Sequence, residues 1–314
     1  MPDASAPGPM VQRAILVGEL QRLRAATGEP PDRVAAALDW STTKLVRIET
    51  GAVGVSTTDL RALLRHYGLT DGDERVAALT AMARDARERG WWSLYQRDLA
   101  PGYLRYIGYE SGASVVSGFQ MTTVPCLLQT EEYADAVTRE HVESSTDREV
   151  LVEVRMRRQA ELFARENPPR LDMIVDEAAL RRHVGGPSDP GVMPRQLRHL
   201  LDMLDRPWLT LRVIPFAAGA HCGMMGGFLL LRFGDPRING VLFEENSGGP
   251  VLTVGDRDSR VAAHRSAFEK LGRLALPPGR TSAYIAKITA SMEANVRKAA
   301  ATTGTPPRTR TPTR

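Results

Sequence analysis

The sequence predicts an α+β protein, in which an all-helical N-terminal domain is followed by a mixed domain. The first 70 residues hold four short segments whose apolar residues recur at helical spacing, separated by glycine and proline. Beyond residue 93, short runs rich in Val, Ile, Leu and Phe lie between Pro and Gly residues, which is typical of strands. Helical segments fall between these runs without a regular strand-helix alternation, which favours α+β over α/β.

The N-terminal helices are predicted from their start and stop residues. Leucines at helical spacing define the first helix over 14–27. Pro30 and Pro31 open the second, because a missing amide hydrogen costs little in a first turn. Ser41 is a good N-cap for the third, and Gly51 can end it in the left-handed conformation. Short helices joined by such tight turns form a helix-turn-helix module.

The third helix, over 41–50, has an apolar back and a polar front. Leu45 and Ile48 lie three residues apart and share one face. The front then carries Thr42, Thr43, Lys44 and Arg47. Hydroxyl groups and arginine suit the major groove of DNA, where arginine can bind guanine through two hydrogen bonds. An ordinary solvent-exposed helix can carry the same residues, so this pattern alone leaves both interpretations open.

The second domain is predicted to contain four strands and several helices. Strands are expected over 171–175, 209–214, 228–233 and 240–244. Helices are expected over 106–116, 147–166, 177–184, 194–204, 257–274 and 282–298, with a further one capped by Thr130. The predicted domains are a helix-turn-helix domain over 12–70, a connecting helix over 71–92, an α+β domain over 93–298 and a disordered tail over 299–314.

Composition narrows the functional classes. The net charge is only +4, and residues 1–90 hold 12 Lys and Arg against 12 Asp and Glu, so bulk charge gives no argument for nucleic-acid binding. The two cysteines, Cys126 and Cys222, do not suggest a disulfide framework and fit a reducing compartment. The sequence shows no signal peptide and no span of 18 apolar residues, so we expect a cytoplasmic protein without membrane contact.

The sequence contains no recognised catalytic, cofactor or metal site, so we expect that the protein is not an enzyme. His221 and Ser247 resemble the motifs of trypsin-like proteases, but only 26 residues separate them, and Asn246 stands where those proteases need a carboxylate. No His or Cys pair has the spacing of a zinc site. No glycine-rich phosphate loop follows a strand.

Residues 13–70 resemble the helix-turn-helix domain of Cro/C1-type regulators, also called the xenobiotic-response-element family. The segment 44–51 reads KLVRIETG and matches that family's signature of lysine-x-x-arginine-isoleucine-glutamate-x-glycine. The resemblance implies a DNA-binding regulator whose helix over 41–50 enters the major groove. It also implies that Glu49 pairs with Arg24 instead of touching DNA, and a buried pair of this kind tolerates loss of one partner badly.

The same resemblance assigns the DNA contacts. The predicted DNA-binding set is Ser41, Thr42, Thr43, Lys44, Arg47 and Arg33. The two threonines and Arg47 take base-reading positions. The family usually carries a Thr-Gln pair at the start of its second helix, where the glutamine anchors a phosphate, but Pro30 and Pro31 stand there in this chain. That contact is therefore expected to be missing or to shift to Arg33.

Residues 100–290 resemble a second group. The motifs at 124–130 (VPCLLQT), 176–180 (DEAAL) and 213–216 (VIPF) stand in the same order as in the C-terminal domain of WhiJ-like and antitoxin-like regulators of actinobacteria. No activity is established for that domain, and its members are often encoded beside a small partner protein. The resemblance therefore implies a domain for dimerisation, ligand sensing or binding of a partner.

Arg155, Arg158 and Gln159 lie on one predicted helix of this second region, with the two arginines one turn apart. Two guanidinium groups presented together could bind an anion or a partner protein. The same residues could form a solvated face with ion pairs to neighbours such as Glu161, and we keep both interpretations.

The sequence therefore predicts a transcription regulator that binds a roughly palindromic double-stranded DNA operator as a homodimer. The alternative is an antitoxin-like interaction module that mainly binds a small neighbouring protein. The balanced charge of the first 90 residues and the prolines at 30 and 31 favour the alternative slightly. Salt separates the two, because direct DNA binding weakens steeply as salt rises.

Overall fold

The structure is a computed structural model and describes residues 8–238, 240–246, 249–254 and 259–303. The chain divides into two compact units. The first unit comprises Met1–Val115, Leu230–Phe243 and Ser247–Ala262, and the second comprises Val116–Leu229, Glu244–Asn246 and Ala263–Arg314. The domain limits at residues 70 and 92 stay predictions. In the described ranges, no helix combines the length and the apolar composition that a membrane span requires.

The N-terminal part is helical, as predicted. Its helices are α1 (Pro9–Thr27), α2 (Pro31–Ala37), α3 (Thr42–Glu49), α4 (Thr57–His66) and α5 (Glu74–Asp85). Helix α1 begins before the predicted start at residue 14, and α5 is followed by a 3-10 turn at Trp91–Tyr95. The core between these helices includes the fully buried side chains of Leu20, Leu45, Leu60, Leu63 and Leu64. Burial of these leucines is the main stabilising contribution to this part of the fold.

The prediction of a helix over 106–116 is wrong in its second half. The helix there, α6 (Pro101–Glu110), ends at Glu110, and the strand β1 (Val115–Gln120) follows. The four central residues of β1 are all buried, so the strand lacks the alternation that marks a half-exposed strand in a sequence. Gly112 allows the turn between α6 and β1, because a Cβ atom there would lie 2.7 Å from Cγ2 of Val11.

Six further α-helices follow in the described part of the chain. They are α7 (Glu131–Arg139), α8 (Ser145–Phe163), α9 (Glu177–Arg181), α10 (Val192–Met203), α11 (Ser259–Leu274) and α12 (Pro278–Thr303). Thr130 caps α7 as predicted, since its Oγ1 accepts a hydrogen bond from the amide of Tyr133 at 3.3 Å. Helix α12 continues to Thr303, so the prediction of disorder from residue 299 is wrong for 299–303. Residues 304–314 lie outside the described part.

The strands form one mixed sheet. After β1 come β2 (Arg170–Asp176), β3 (Leu209–Ile214), β4 (Phe228–Arg232), β5 (Val241–Asn246) and β6 (Gly249–Val254), in the spatial order β3-β2-β1-β4-β5-β6. Strands β2 and β3 are parallel, with Leu171 opposite Leu209 and Val175 opposite Val213. Helices α9 and α10 supply the crossover that a parallel pair requires. The α+β class is therefore confirmed.

The sequence did not predict β6. Gly249 and Pro250 lie near its start, and both residues usually interrupt strands. The sheet order places β6 at an edge, where proline is tolerated since an outward amide hydrogen is not needed for the ladder.

Candidate nucleic-acid interface

Helix α3 is fixed on its inner side and at both ends. Leu45 and Ile48 are buried against the core. Ser41 Oγ accepts a hydrogen bond from the Lys44 amide at 3.2 Å, which satisfies one free donor of the first turn. Gly51 turns the chain away from the helix with a φ of 69°, where a residue with a Cβ would be strained. The core therefore determines which residues of α3 point outward.

Three predicted base-reading residues occupy the outward side of α3. Thr42, Thr43 and Arg47 are exposed. Within the described residues, none of these three side chains forms a hydrogen bond or an ion pair. The guanidinium of Arg47 thus keeps all its donors for an external acceptor, and its planar fork matches guanine or phosphate oxygens.

The start of α2 offers little to a phosphate. The amides of Arg33 and Val34 both donate to the carbonyl oxygen of Pro30, at 3.2 and 3.3 Å. Asp32 places a carboxylate in the first turn, where a bound phosphate would be repelled. Arg33 is exposed and, in the described part of the chain, its side chain has no hydrogen-bond or ion-pair partner. It is the only cation of α2 available for a phosphate.

Lys44 differs from the two predicted DNA-binding arginines, because the protein itself binds its ammonium group. Nζ lies 2.8 Å from Oδ1 of Asp59 and 4.0 Å from the ring centroid of Trp40. Burial opposes ionisation of Asp59, but the hydrogen bonds from Lys44 and Ser56 and the charge of Lys44 together outweigh it and hold the pKa of Asp59 below its usual value. Contact between Lys44 and a phosphate would therefore compete with Asp59.

The structure brings Arg24 and Glu49 together. Arg24 Nε donates to both carboxylate oxygens of Glu49, at 2.8 and 2.9 Å. Gln21 Nε2 donates to the backbone oxygen of Glu49 at 2.5 Å. Glu49 is only 4% exposed, so its charge needs these partners. This network ties the end of α1 to the end of α3 and fixes the angle of α3.

Tyr67 completes this network, and sequence reasoning missed it. Its hydroxyl donates to Oε1 of Glu49 at 3.2 Å. Burial and the nearby Glu49 carboxylate raise the pKa of Tyr67 well above its usual value, so the hydroxyl remains a donor at neutral pH. Tyr67 is 18 residues from Glu49 in the sequence, so no local pattern indicated this contact.

In the second unit, the side chains of Arg155 and Gln159 bond to the loop over 124–130. Gln159 Nε2 donates to the carbonyl oxygens of Cys126 and Gln129, at 2.8 and 2.9 Å. Arg155 Nη1 donates to Oε1 of Gln129 at 2.9 Å. Gln129 is buried, and its own Nε2 donates to the carbonyl oxygen of Val124 at 2.6 Å. These bonds hold the loop over 124–130 in place.

Arg158 lies on the same helix and is only 2% exposed. It also interacts with other groups of the chain. Arg155 and Gln159 therefore hold the loop over 124–130, and Arg158 is buried. The side-chain amide of Gln159 is already used by two carbonyl oxygens, whereas the side chain of Arg47 on α3 has no hydrogen-bond partner in the described chain.

His221 and Ser247 are the two residues that resemble protease motifs in the sequence. Nε2 of His221 lies 3.0 Å from Oδ2 of Asp176, at the end of β2. Ser247 lies outside the described residues. In the described ranges, no group of three or more His, Cys, Asp and Glu side chains could hold a metal ion.

Comparison with known families matches both parts of the chain. The family described as a helix-turn-helix domain matches residues 15–78, which contain α2 to α4 and the network around Glu49. The family described as a domain of unknown function (DUF5753) matches residues 103–287. No curated protein and no solved structure matches the chain. Because the second match spans more than half of the 314 residues, the protein belongs to this family of unknown function, with a helix-turn-helix domain preceding the family domain.

Proposed function

We propose that the protein is a sequence-specific DNA-binding transcription regulator. Helix α3, with its cap Ser41, enters the major groove, where Thr42, Thr43 and Arg47 contact base edges. The observation that carries this proposal is the contrast between the two sides of α3. Its inner side is held by the core and by the Glu49 network, while Arg47 and both threonines are exposed and unbonded within the described chain.

Phosphate contacts complete the interface. Arg33 at the start of α2 and Lys44 at the start of α3 contact the DNA backbone, which sets the register of α3 in the groove. Lys44 exchanges Asp59 for a phosphate on binding, so its net contribution is smaller than that of an unpaired lysine.

The active form is a homodimer. A helix of eight residues makes few base contacts, so a single module discriminates weakly between sequences. A two-fold dimer doubles these contacts on half-sites about 34 Å apart and requires a roughly palindromic operator. The family domain supplies the dimer contact, senses a ligand or binds a partner protein. We assign the chain no enzymatic activity and no cofactor, and we place it in the cytoplasm.

The experiment that tests this proposal is a genome-wide pull-down of DNA bound to the native full-length protein, with co-purifying proteins identified from the same sample. We expect a few sharp palindromic sites. An Arg47→Ala protein is the matched control, because the Arg47 side chain forms no hydrogen bond or ion pair with the described chain, so its loss should deplete the DNA sites without changing the co-purifying proteins. Equal numbers of sites for both proteins would contradict the proposal.

The alternative function is an interaction module that mainly binds a small neighbouring protein. Two carboxylates near the proposed DNA surface favour it, Asp32 in the first turn of α2 and Asp59 on Lys44. Both would repel phosphates. A stoichiometric small protein in the pull-down, with no enriched DNA, would establish this function instead.

A further inference from the structure

Val46 is an exposed hydrophobic residue in an unusual position. It is 41% exposed, and among the described residues of the helix-turn-helix domain it is the one large hydrophobic side chain with high exposure. The six other exposed large hydrophobic residues of the described chain lie at Leu94 or beyond. Valine is also a weak helix former, because its branched side chain is restricted in a helix. Neither core packing nor helix propensity therefore accounts for a valine at this position.

Thr50 adds a second apolar group beside Val46. Its Oγ1 donates to the carbonyl oxygen of Val46 at 2.8 Å and lies 3.4 Å from that of Arg47. The hydroxyl is therefore turned back onto the helix, and the methyl group is the part of this exposed residue that remains free for an external contact. Val46 and Thr50 are four residues apart and lie on one face.

This apolar pair lies among the proposed base-reading residues. An α-helix turns about 100° per residue, so Thr43, Val46, Arg47 and Thr50 fall on one side of α3. Leu45 and Ile48 occupy the opposite, buried side. A helix that lies in the major groove with Arg47 on a guanine thus brings Val46 to a neighbouring base.

We propose, on the basis of the DNA-binding function above, that Val46 and the methyl group of Thr50 read the 5-methyl group of a pyrimidine next to the base read by Arg47. Apolar contact with a thymine methyl is one of the forms of direct readout in the major groove. Thymine supplies this methyl in unmodified DNA, and 5-methylcytosine presents the same group at the same position of the base. The operator therefore contains a thymine or a 5-methylcytosine next to the base that Arg47 contacts.

The test uses the full-length protein to select its site from a random pool of duplex DNA. Each thymine of the selected site is then replaced singly by deoxyuridine, which lacks only the 5-methyl group. We expect one replacement to weaken binding roughly fourfold, the effect of removing one methyl group from an apolar contact. Val46→Ala protein should lose most of this preference for the thymine form over the deoxyuridine form. If methylation of a cytosine in the selected site strengthens binding, and Val46→Ala reduces this gain, 5-methylcytosine is the source of the methyl.

Two further variants sharpen the test. Thr50→Ser keeps the hydroxyl and deletes the methyl, so it should lose part of the methyl effect. Thr58→Ser, at an exposed position of α4, should keep all of it. Selection of a site at which no pyrimidine methyl changes affinity would overturn the inference but leave DNA binding intact. The same holds if Val46→Ala loses an equal factor on both forms of DNA. Failure to select any sequence would overturn the proposed function as well.

Discussion

Helices α3 and α8 carry similar residues and use them in opposite ways. Arg47 on α3 is exposed and forms no side-chain hydrogen bond with the described chain. Arg155 and Gln159 on α8 donate to the loop over 124–130, and Gln159 alone satisfies two carbonyl oxygens. Arginine and amide residues on one face of a helix therefore do not identify a binding surface. The criterion is whether other groups of the chain already accept hydrogen bonds from their donors.

The two regions also satisfy their buried polar groups by different chemistry. The helix-turn-helix domain buries a charge, Glu49, and surrounds it with Arg24 and Tyr67. The loop over 124–130 is held mainly by neutral amides, since Gln196 also bonds both the amide of Thr130 and the carbonyl of Leu128 at 2.7 Å. Loss of a buried charged group therefore lowers the free energy of unfolding more than loss of a neutral amide does.

The largest effect is therefore expected from Glu49→Ala. It leaves the guanidinium of Arg24 and the hydroxyl of Tyr67 without their acceptor, and we expect the free energy of unfolding of the helix-turn-helix domain to fall by about 3–5 kcal/mol. Hydrogen exchange of the α1 and α3 amides measures this change separately from the rest of the chain.

Asp71→Ala is the matched control, because it removes a carboxylate that pairs with Arg65 on the exposed surface of the same domain. Little change in exchange is expected there. Equal effects of Glu49→Ala and Asp71→Ala would mean that burial does not increase the stabilisation by the ion pair between Arg24 and Glu49.

Gln159→Ala should have the next largest effect, in the other unit. It leaves the carbonyl oxygens of Cys126 and Gln129 without this donor, at a cost of about 1–3 kcal/mol. Hydrogen exchange of the amides over 124–130 should accelerate, while DNA affinity stays unchanged. Glu161→Ala on the same helix is the control, since its side chain is 49% exposed. A loss of DNA affinity with Gln159→Ala would contradict the contrast between α3 and α8.

Arg47→Ala should have the reverse effect to Gln159→Ala, because it should change DNA affinity and leave stability unchanged. We expect it to lose about 1–3 kcal/mol of binding free energy on the operator and to relax one base preference, with no change in thermal stability. Titration of the operator and of unrelated duplexes measures both quantities. Arg47→Lys keeps the charge but not the two-pronged hydrogen bond, so it should lose the base preference and retain part of the affinity. Equal loss on every duplex would mean that Arg47 only contacts phosphate.

The contrast between the two regions also explains what could be predicted from the sequence. Helix α3 was predicted well, because its limits depend on nearby residues, the cap at Ser41 and the turn at Gly51. Strand β1 was missed because it is buried along its centre and gives no alternating signal. The internal role of Gln159 was missed because its partners lie about 30 residues away, and no local pattern indicates such a contact. Distant hydrogen bonds decide which polar residues are available, and only the fold reveals them.

A smaller effect on the free energy of unfolding is expected at alkaline pH. It comes from Tyr133, which contacts the loop over 124–130. This residue is fully buried, and its hydroxyl oxygen accepts a hydrogen bond from the Val124 amide at 3.1 Å. Burial raises the pKa of Tyr133 from 10.0 to about 12. Between these values the unfolded chain loses the proton and the folded chain keeps it, so this stabilisation is complete below pH 10 and is lost as the pH rises through 12.

The measurement is urea unfolding of the wild type and of Tyr133→Phe at pH 9 and pH 11. Phenylalanine cannot ionise, so the variant should lose about 1 kcal/mol less than the wild type over this interval, although it is less stable at pH 9. An equally steep alkaline decrease in both proteins would show that Tyr133 does not titrate with the fold.

The smallest effect is expected from Asp59→Asn. This change tests whether the Lys44 side chain is available for DNA, like Arg47, or is used within the protein, like Arg155. The Lys44 and Asp59 side chains are 39% and 28% exposed, so loss of their ion pair should change the free energy of unfolding by less than about 1 kcal/mol. The change frees the ammonium group and removes a carboxylate beside the proposed DNA surface. Affinity for every duplex should rise, and the slope of log affinity against log salt should steepen by about one unit, the equivalent of one more phosphate contact. Adding Lys44→Gln to Asp59→Asn should restore the original slope. If the slope does not change, the ammonium of Lys44 serves only the protein's own structure, as Arg155 does, and Lys44 is not part of the DNA interface on α3.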